Sequence, residues 1–129
     1  TLIYILFMSI ISHIPNDSLP ESGNNFSNQD KIFHLAEFFI LGLLIQFTLI
    51  EENIFPRKAI VFMTLILGFS IACLDELHQS FVQGRNCSID DLLFDFLGIM
   101  LSFFNYKNSF LYFFVLLFNL TIFLWLVVF

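Results

Sequence analysis

Histidine and acidic residues recur one helical turn apart at two places in the sequence. Asp30, His34 and Glu37 have the i, i+4, i+7 spacing that places side chains on one face of a helix. Asp75 and His78 again combine an acid and an imidazole at i, i+3. Histidine titrates near neutral pH and a carboxylate can orient its ring, so either pair is suited to general acid–base catalysis. The same side chains also bind zinc and related divalent metals.

Further polar residues lie close to these two patterns. Glu76 is about a quarter turn from the face of the second pattern, and Gln79 lies on that face. A later apolar segment begins with Asp91 and Asp95, which are again one helical turn apart. Two basic residues, Lys31 and Arg85, lie near these acids in the sequence. Arginine and lysine bind phosphate and carboxylate groups, so an anionic ligand is a second possibility for this set.

The composition excludes a water-soluble domain. Of the 129 residues, 58% are hydrophobic, 19% are aromatic and 12% are charged, whereas soluble domains carry about 25% charged residues. A chain of this length forms one domain, residues 1–129, and cannot bury so much apolar surface. The formal net charge is −6 and no basic patch is present, so nucleic acid is excluded as a partner. We therefore expect an integral membrane protein in contact with membrane lipid.

The hydropathy pattern predicts five apolar helices, at residues 2–14, 30–50, 57–80, 88–104 and 109–129. Because a membrane span needs roughly 20 residues, these segments predict four to five spans. The segments are continuous rather than alternating, which argues against the strands of a membrane barrel. The expected fold is an all-α, polytopic helical bundle.

Two helix ends are predicted from their capping residues. Ser88 is expected to cap the N-terminus of the fourth segment, because a serine oxygen there accepts a backbone N–H and is followed by acids in the first turn. Gly84 is expected just beyond the C-terminus of the third segment, where glycine readily adopts a positive φ.

If successive helices cross the membrane in alternate directions, the acidic, histidine and basic residues named above all lie at one end of the bundle. The loops at 15–30 and 82–88 are then on one side of the membrane, and the loops at 51–58 and 105–108 are on the other. The second side has three lysine or arginine residues against two on the first, and positively charged loops remain in the cytoplasm. The polar residues are therefore expected to face outward. Because ionisable residues are costly in a membrane, such a group is by default a functional-site hypothesis.

Three blocks of sequence resemble the VanZ-like membrane proteins. They are Asp-Lys-x-x-His-x-x-Glu-Phe at 30–38, Asp-Glu-Leu-His-Gln-Ser-Phe-Val-Gln-Gly-Arg at 75–85 and Ser-Ile-Asp-Asp-Leu-Leu-Phe-Asp-Phe-Leu-Gly at 88–98. The blocks occur in the family's order, and the resemblance covers roughly residues 9–100, so that the helix at 109–129 follows the motif-bearing core.

The resemblance implies a setting in the bacterial cell envelope. The family is named for a protein linked to low-level resistance to the glycopeptide teicoplanin, and the chemistry of cell-envelope lipids or glycans is the setting that the resemblance implies. The candidates for catalysis carried over by the motifs are His34, Glu37, Asp75, Glu76 and His78. The candidates for ligand binding carried over by the motifs are Asp30, Lys31, Gln79, Arg85, Asp91 and Asp95.

Three hypotheses about function remain open at this point. In the first, the site recognises or modifies an envelope lipid or glycan at the outer membrane face. In the second, His34, Glu37, Asp75 and His78 bind a metal, as imidazole and carboxylate pairs do between facing helices. In the third, the chain is a scaffold or accessory subunit of a larger membrane complex, and the polar residues only fix the helices in register. Whether the protein is an enzyme, and whether it uses a cofactor, is left open.

Overall fold

The computed structural model describes residues 1–13, 26–85 and 87–103. These residues form four α-helices, with no strand among them: α1 (Leu2–Ser12), α2 (Phe26–Glu51), α3 (Arg57–Gln79) and α4 (Ile89–Ser102). The prediction of an all-α chain is therefore confirmed for the described residues.

The four helices correspond to the first four predicted segments. The largest difference is at α2, which begins at Phe26, four residues before the predicted start, because the polar residues that precede the apolar segment continue the same helix. The helices α2 and α3 are long and apolar enough to cross a membrane. The helices α1 and α4 have 11 and 14 residues, which is short for a span. The fifth predicted segment, 109–129, lies outside the described residues.

Contacts between the helices show that they alternate in direction. The Tyr4 hydroxyl of α1 donates to the backbone oxygen of Glu37 in α2 at 3.0 Å, and the far end of α1 reaches the end of α3. The helices α2 and α4 run side by side in the same direction, since Lys31 contacts Asp90 near their first residues and the side chain of Gln46 contacts a residue at the end of α4. We call the end at which α1 and α3 finish and α2 and α4 begin the polar end.

Small residues allow α4 to approach α2 closely. A Cβ atom added to Gly98 would collide with the backbone of Leu35 and Phe39, and one added to Gly42 would collide with the Ser102 side chain. Small residues allow such close contact between membrane helices. This contact fixes the rotation of α4, and with it the direction in which the acids of α4 point.

Below the polar end the helices enclose an apolar core. Phe38, Leu41 and Ile99 are fully buried there and are joined by Ile45 and Ala72. Many large apolar side chains lie instead on the outside of the helices, including Phe62, Ile66, Phe69, Leu74 and Leu97. An apolar exterior around a packed interior is expected of helices that contact lipid or other apolar helices.

The predicted cap of α4 is confirmed and that of α3 is wrong. The side chain of Ser88 accepts the backbone N–H of Asp91 at 3.4 Å, at the N-terminus of α4. The helix α3 ends at Gln79, with Ser80 as its capping residue. Gly84 has a φ of 78° but lies in the connection beyond this end. Its positive φ serves the turn between the two helices, because the chain must reverse there within a few residues.

Candidate functional site

His34 and Asp95 form a buried pair near the polar end. The Nδ1 atom of His34 on α2 lies 2.9 Å from Oδ1 of Asp95 on α4, and the two side chains are 4% and 0% exposed. Each lies one turn further into its helix than the ionisable residues at the surface. A buried charge is costly without a partner, so separating the two side chains would be unfavourable. The contact therefore fixes the rotation of α2 relative to that of α4.

Glu76 on α3 brings a second carboxylate to the same place. It is 3% exposed, and its Oε2 atom accepts the backbone N–H of Ser88 at 2.8 Å. One ligand atom each from His34, Glu76 and Asp95 lie within 4.8 Å of one another. Two carboxylate oxygens, Oε1 of Glu76 and Oδ2 of Asp95, are buried without a hydrogen-bond partner among the residues that the structure describes.

Two ion pairs lie between this buried group and the surface. Lys31 Nζ is 3.0 Å from Asp90 Oδ2, with side chains 26% and 65% exposed, and also lies over the ring of Phe94. Arg85 Nη1 is 3.7 Å from Asp30 Oδ1, with side chains 12% and 34% exposed. The Nε atom of Arg85 is buried and has no hydrogen-bond partner within the described part of the chain. The guanidinium is therefore held only loosely by its neighbours.

Asp75 belongs to a separate and fully satisfied network. Its Oδ1 atom accepts from the Ser12 hydroxyl at 2.7 Å, and its Oδ2 atom accepts from the Gln79 amide at 2.8 Å. All three side chains are buried. The network joins α1 to α3 and leaves Asp75 little capacity for a ligand. Ser12 was not a sequence candidate, because a serine within an apolar segment carries no distinguishing pattern.

His78 contacts His13 of α1 and is not a member of the group formed around His34. Its Nε2 atom lies 3.2 Å from Nδ1 of His13, and this contact is exposed. The predicted metal set of His34, Glu37, Asp75 and His78 is therefore not gathered as one group. Within the described ranges, the groups that could hold a metal are His34 with Glu76 and Asp95, and His34 with Asp30 and Asp91.

The remaining candidates lie around this centre. Asp91 is only 9% exposed, and Glu37 is half-buried on α2.

Cys87 lies in the connection between α3 and α4, near Glu76, and is exposed. Partial desolvation of the thiol, which occurs although the residue as a whole is exposed, and the negative charge of Glu76 raise the pKa of Cys87. The chemical roles predicted for Asp91 and Glu37 stay predictions, and Cys87 was not a candidate.

The site contains two kinds of polar group whose hydrogen-bonding capacity is not fully used by the described residues. The buried carboxylate oxygens can accept hydrogen bonds or bind a cation, and the Arg85 guanidinium can donate to an oxygen. The carboxylate oxygens and the guanidinium all lie at the polar end, and the guanidinium is nearer the surface. The site is therefore equipped to bind a polar molecule that approaches from this end.

Comparison with known proteins gives one finding. A family model described as VanZ/LLP1 matches residues 2–115. No curated protein and no solved structure gives a significant match.

Proposed function

The chain belongs to the VanZ/LLP1 family, and we propose that it is a polytopic membrane protein that binds the headgroup of a cell-envelope lipid or lipid-linked glycan at its polar end. The ligand chemistry is that of an anionic headgroup rich in oxygen atoms. The polar end faces outward from the bacterial cytoplasmic membrane, as the excess of basic residues at the opposite end supports.

The apolar surface supports the membrane part of this proposal. The helices α2 and α3 have the length and composition of spans, and large apolar side chains cover their outer faces. Together with α1, α4 and the apolar segment 109–129, they would make a bundle of about five helices. The shorter helices would still be accommodated, because they pack against the two longer ones rather than crossing alone.

The loosely held Arg85 is the observation that carries the headgroup proposal. Its only ion pair among the described residues, with Asp30, is 3.7 Å long, and its Nε atom is buried without a partner. An unsatisfied buried donor is destabilising by about 1–3 kcal/mol. A headgroup oxygen would satisfy it, and the planar guanidinium can bind phosphate or carboxylate with two parallel hydrogen bonds. Lys31, partly exposed at the surface, would add a second positive charge.

Native mass spectrometry tests this proposal. The wild-type protein, released gently from its own membrane, is compared with Arg85→Ala and with the matched control Lys58→Ala at the opposite, exposed end of α3. We expect an envelope lipid on the wild type and on the control, and its loss from Arg85→Ala. Equal lipid occupancy in all three proteins would contradict the proposal. Loss of folded protein in Arg85→Ala would indicate instead that the cluster only fixes the helices.

The link to antibiotic resistance is tested separately in cells. We propose that expression of the wild-type protein lowers susceptibility to teicoplanin and that Arg85→Ala, at equal membrane abundance, does not. Unchanged susceptibility with the wild-type protein would remove glycopeptide resistance from the proposal without affecting the headgroup site.

A further inference from the structure

We propose that His34, Glu76 and Asp95 bind a divalent transition-metal cation, with zinc as the preferred ion. This inference goes beyond the headgroup proposal and does not depend on it, because the ligands are side chains of the protein alone. The three residues come from α2, α3 and α4, so the ion would join three helices at the polar end.

The geometry suits a first coordination sphere. One donor atom from each residue lies within 4.8 Å of the others, and His34 Nδ1 lies 2.9 Å from Asp95 Oδ1. In a tetrahedral zinc site, metal–ligand bonds of about 2.0–2.2 Å place neighbouring ligands about 3.4 Å apart. A small movement of the side chains would therefore admit an ion between them. An imidazole and two carboxylates form a donor set that zinc accepts.

Two buried oxygens argue for a cation rather than for a simple hydrogen-bonded network. Glu76 and Asp95 are 3% and 0% exposed, yet each has one carboxylate oxygen without a hydrogen-bond partner in the described segments. By contrast, both carboxylate oxygens of Asp75, which is also buried, accept hydrogen bonds. Within the described residues, the acid outside the group is thus fully paired, whereas two acids in the group with His34 each keep one unpartnered oxygen.

The charges at the polar end also favour a cation. The ion pairs of Lys31 and Arg85 in the described part of the chain are with Asp90 and Asp30, nearer the surface, and neither basic residue forms an ion pair there with Glu76 or Asp95. Two buried carboxylates close together repel one another unless a proton or a cation lies between them. A divalent ion would neutralise both at once. Three protein ligands would leave coordination positions for water or for a headgroup oxygen.

Metal binding can be measured directly on the purified full-length chain. The protein is stripped with a chelator in lipid nanodiscs, dialysed against zinc or manganese, and analysed by elemental mass spectrometry. We expect about one zinc per chain in the wild type and at least a tenfold lower occupancy in Glu76→Gln and Asp95→Asn. Asp75→Asn is the matched control. It alters a buried carboxylate on α3, the helix of Glu76, but outside the proposed metal site, so this variant should keep the ion.

Each outcome decides the assignment. No zinc or manganese on the folded wild type overturns it, as does zinc that persists in both variants. Zinc lost from Asp91→Asn but kept in Glu76→Gln also overturns it, in favour of the group with Asp30. If the variants do not fold, zinc K-edge X-ray absorption of the loaded wild type decides, because the proposal requires one imidazole and otherwise oxygen ligands. A lipid lost with Arg85→Ala while zinc remains would separate this site from the headgroup proposal.

Discussion

The His34 ring and the Asp95 carboxylate, 2.9 Å apart and almost wholly buried, connect the second and fourth helices. The two residues are 61 positions apart in the chain. Their contact exists only because α2 and α4 run side by side, with Gly98 packed directly against the α2 backbone. Among the described residues, this ion pair has the most buried side chains, and it also links two helices. Substitutions can separate its chemical role from its structural role.

Removing the Asp95 carboxylate should be costly. Asp95→Ala leaves a buried imidazole without its partner, and breaking such a pair costs about 3–5 kcal/mol. Asp95→Asn keeps an oxygen that can accept from His34, so a smaller loss is expected. The measurement is the free energy of unfolding in mild detergent.

The matched control for this comparison is Asp90→Asn. That residue also pairs with a cation across α2 and α4, but its side chain is 65% exposed, and exposed pairs contribute about 0–1 kcal/mol. Equal destabilisation by Asp95→Ala and Asp90→Asn would show that burial does not strengthen the inner pair.

Gly98 should tolerate no side chain. The Cβ atom in Gly98→Ala would meet backbone atoms of Leu35 and Phe39, which cannot rotate away, so α4 would have to move outward. Overpacking costs about 1–3 kcal/mol, and separation of the helices would also weaken the His34–Asp95 contact.

Gly68→Ala is the control for that substitution. Its Cβ atom would meet the side chain of Ile99, which can change rotamer, and alanine gains up to about 1 kcal/mol over glycine in a helix. Unfolding measurements should therefore show a large loss for Gly98→Ala and little change for Gly68→Ala. The reverse order would contradict the close approach of α4 to α2.

The contact between His13 and His78 predicts a specific crosslink. Their ring nitrogens are 3.2 Å apart, so cysteines at the two positions should react with a short bifunctional maleimide after Cys73 and Cys87 are changed to alanine. A pair at His13 and Asn53 should not, because α3 separates Asn53 from the polar end. Crosslinking is read by mobility on a gel, and equal yields for both pairs would contradict the direction assigned to α1.

The proposed orientation predicts where Cys87 is accessible. This exposed thiol lies at the polar end, so a membrane-impermeant maleimide should label it in intact cells. A cysteine introduced at Asn53, in a Cys87→Ala background, should be labelled only after the membrane is opened. The opposite pattern would place the polar end in the cytoplasm.

The rate of that labelling should depend on pH in a defined direction. The thiolate is the reactive form, and desolvation and Glu76 raise the pKa of Cys87 above its ordinary value. The thiolate fraction at neutral pH is therefore lower than for a free cysteine, and labelling should be slow there and accelerate as the pH rises. In solubilised protein, Cys87 should react more slowly at neutral pH than a cysteine at Asn53. Equal rates would contradict the influence of Glu76.

Much of the architecture could be predicted from the sequence because it depends on local patterns. Continuous apolar segments determine where helices form, and Ser88 followed by two acids determines where α4 begins. The alternation of helix direction follows from short connections, so the gathering of polar residues from α2, α3 and α4 at one end was also predictable. Family membership followed from the same motifs. The roles of the site residues and the number of spans stay predictions.

Only the tertiary structure decided which polar residues meet. Spacing gives the angle between residues around one helix, but it does not give the rotation of that helix against its neighbours. The close packing at Gly98 fixes that rotation for α4, and it directs Asp95 toward His34. The rotation of α3 places Glu76 with this pair and sends His78 to His13. The sequence could therefore determine the composition of the polar end, while the packing of backbone against backbone determined its partners.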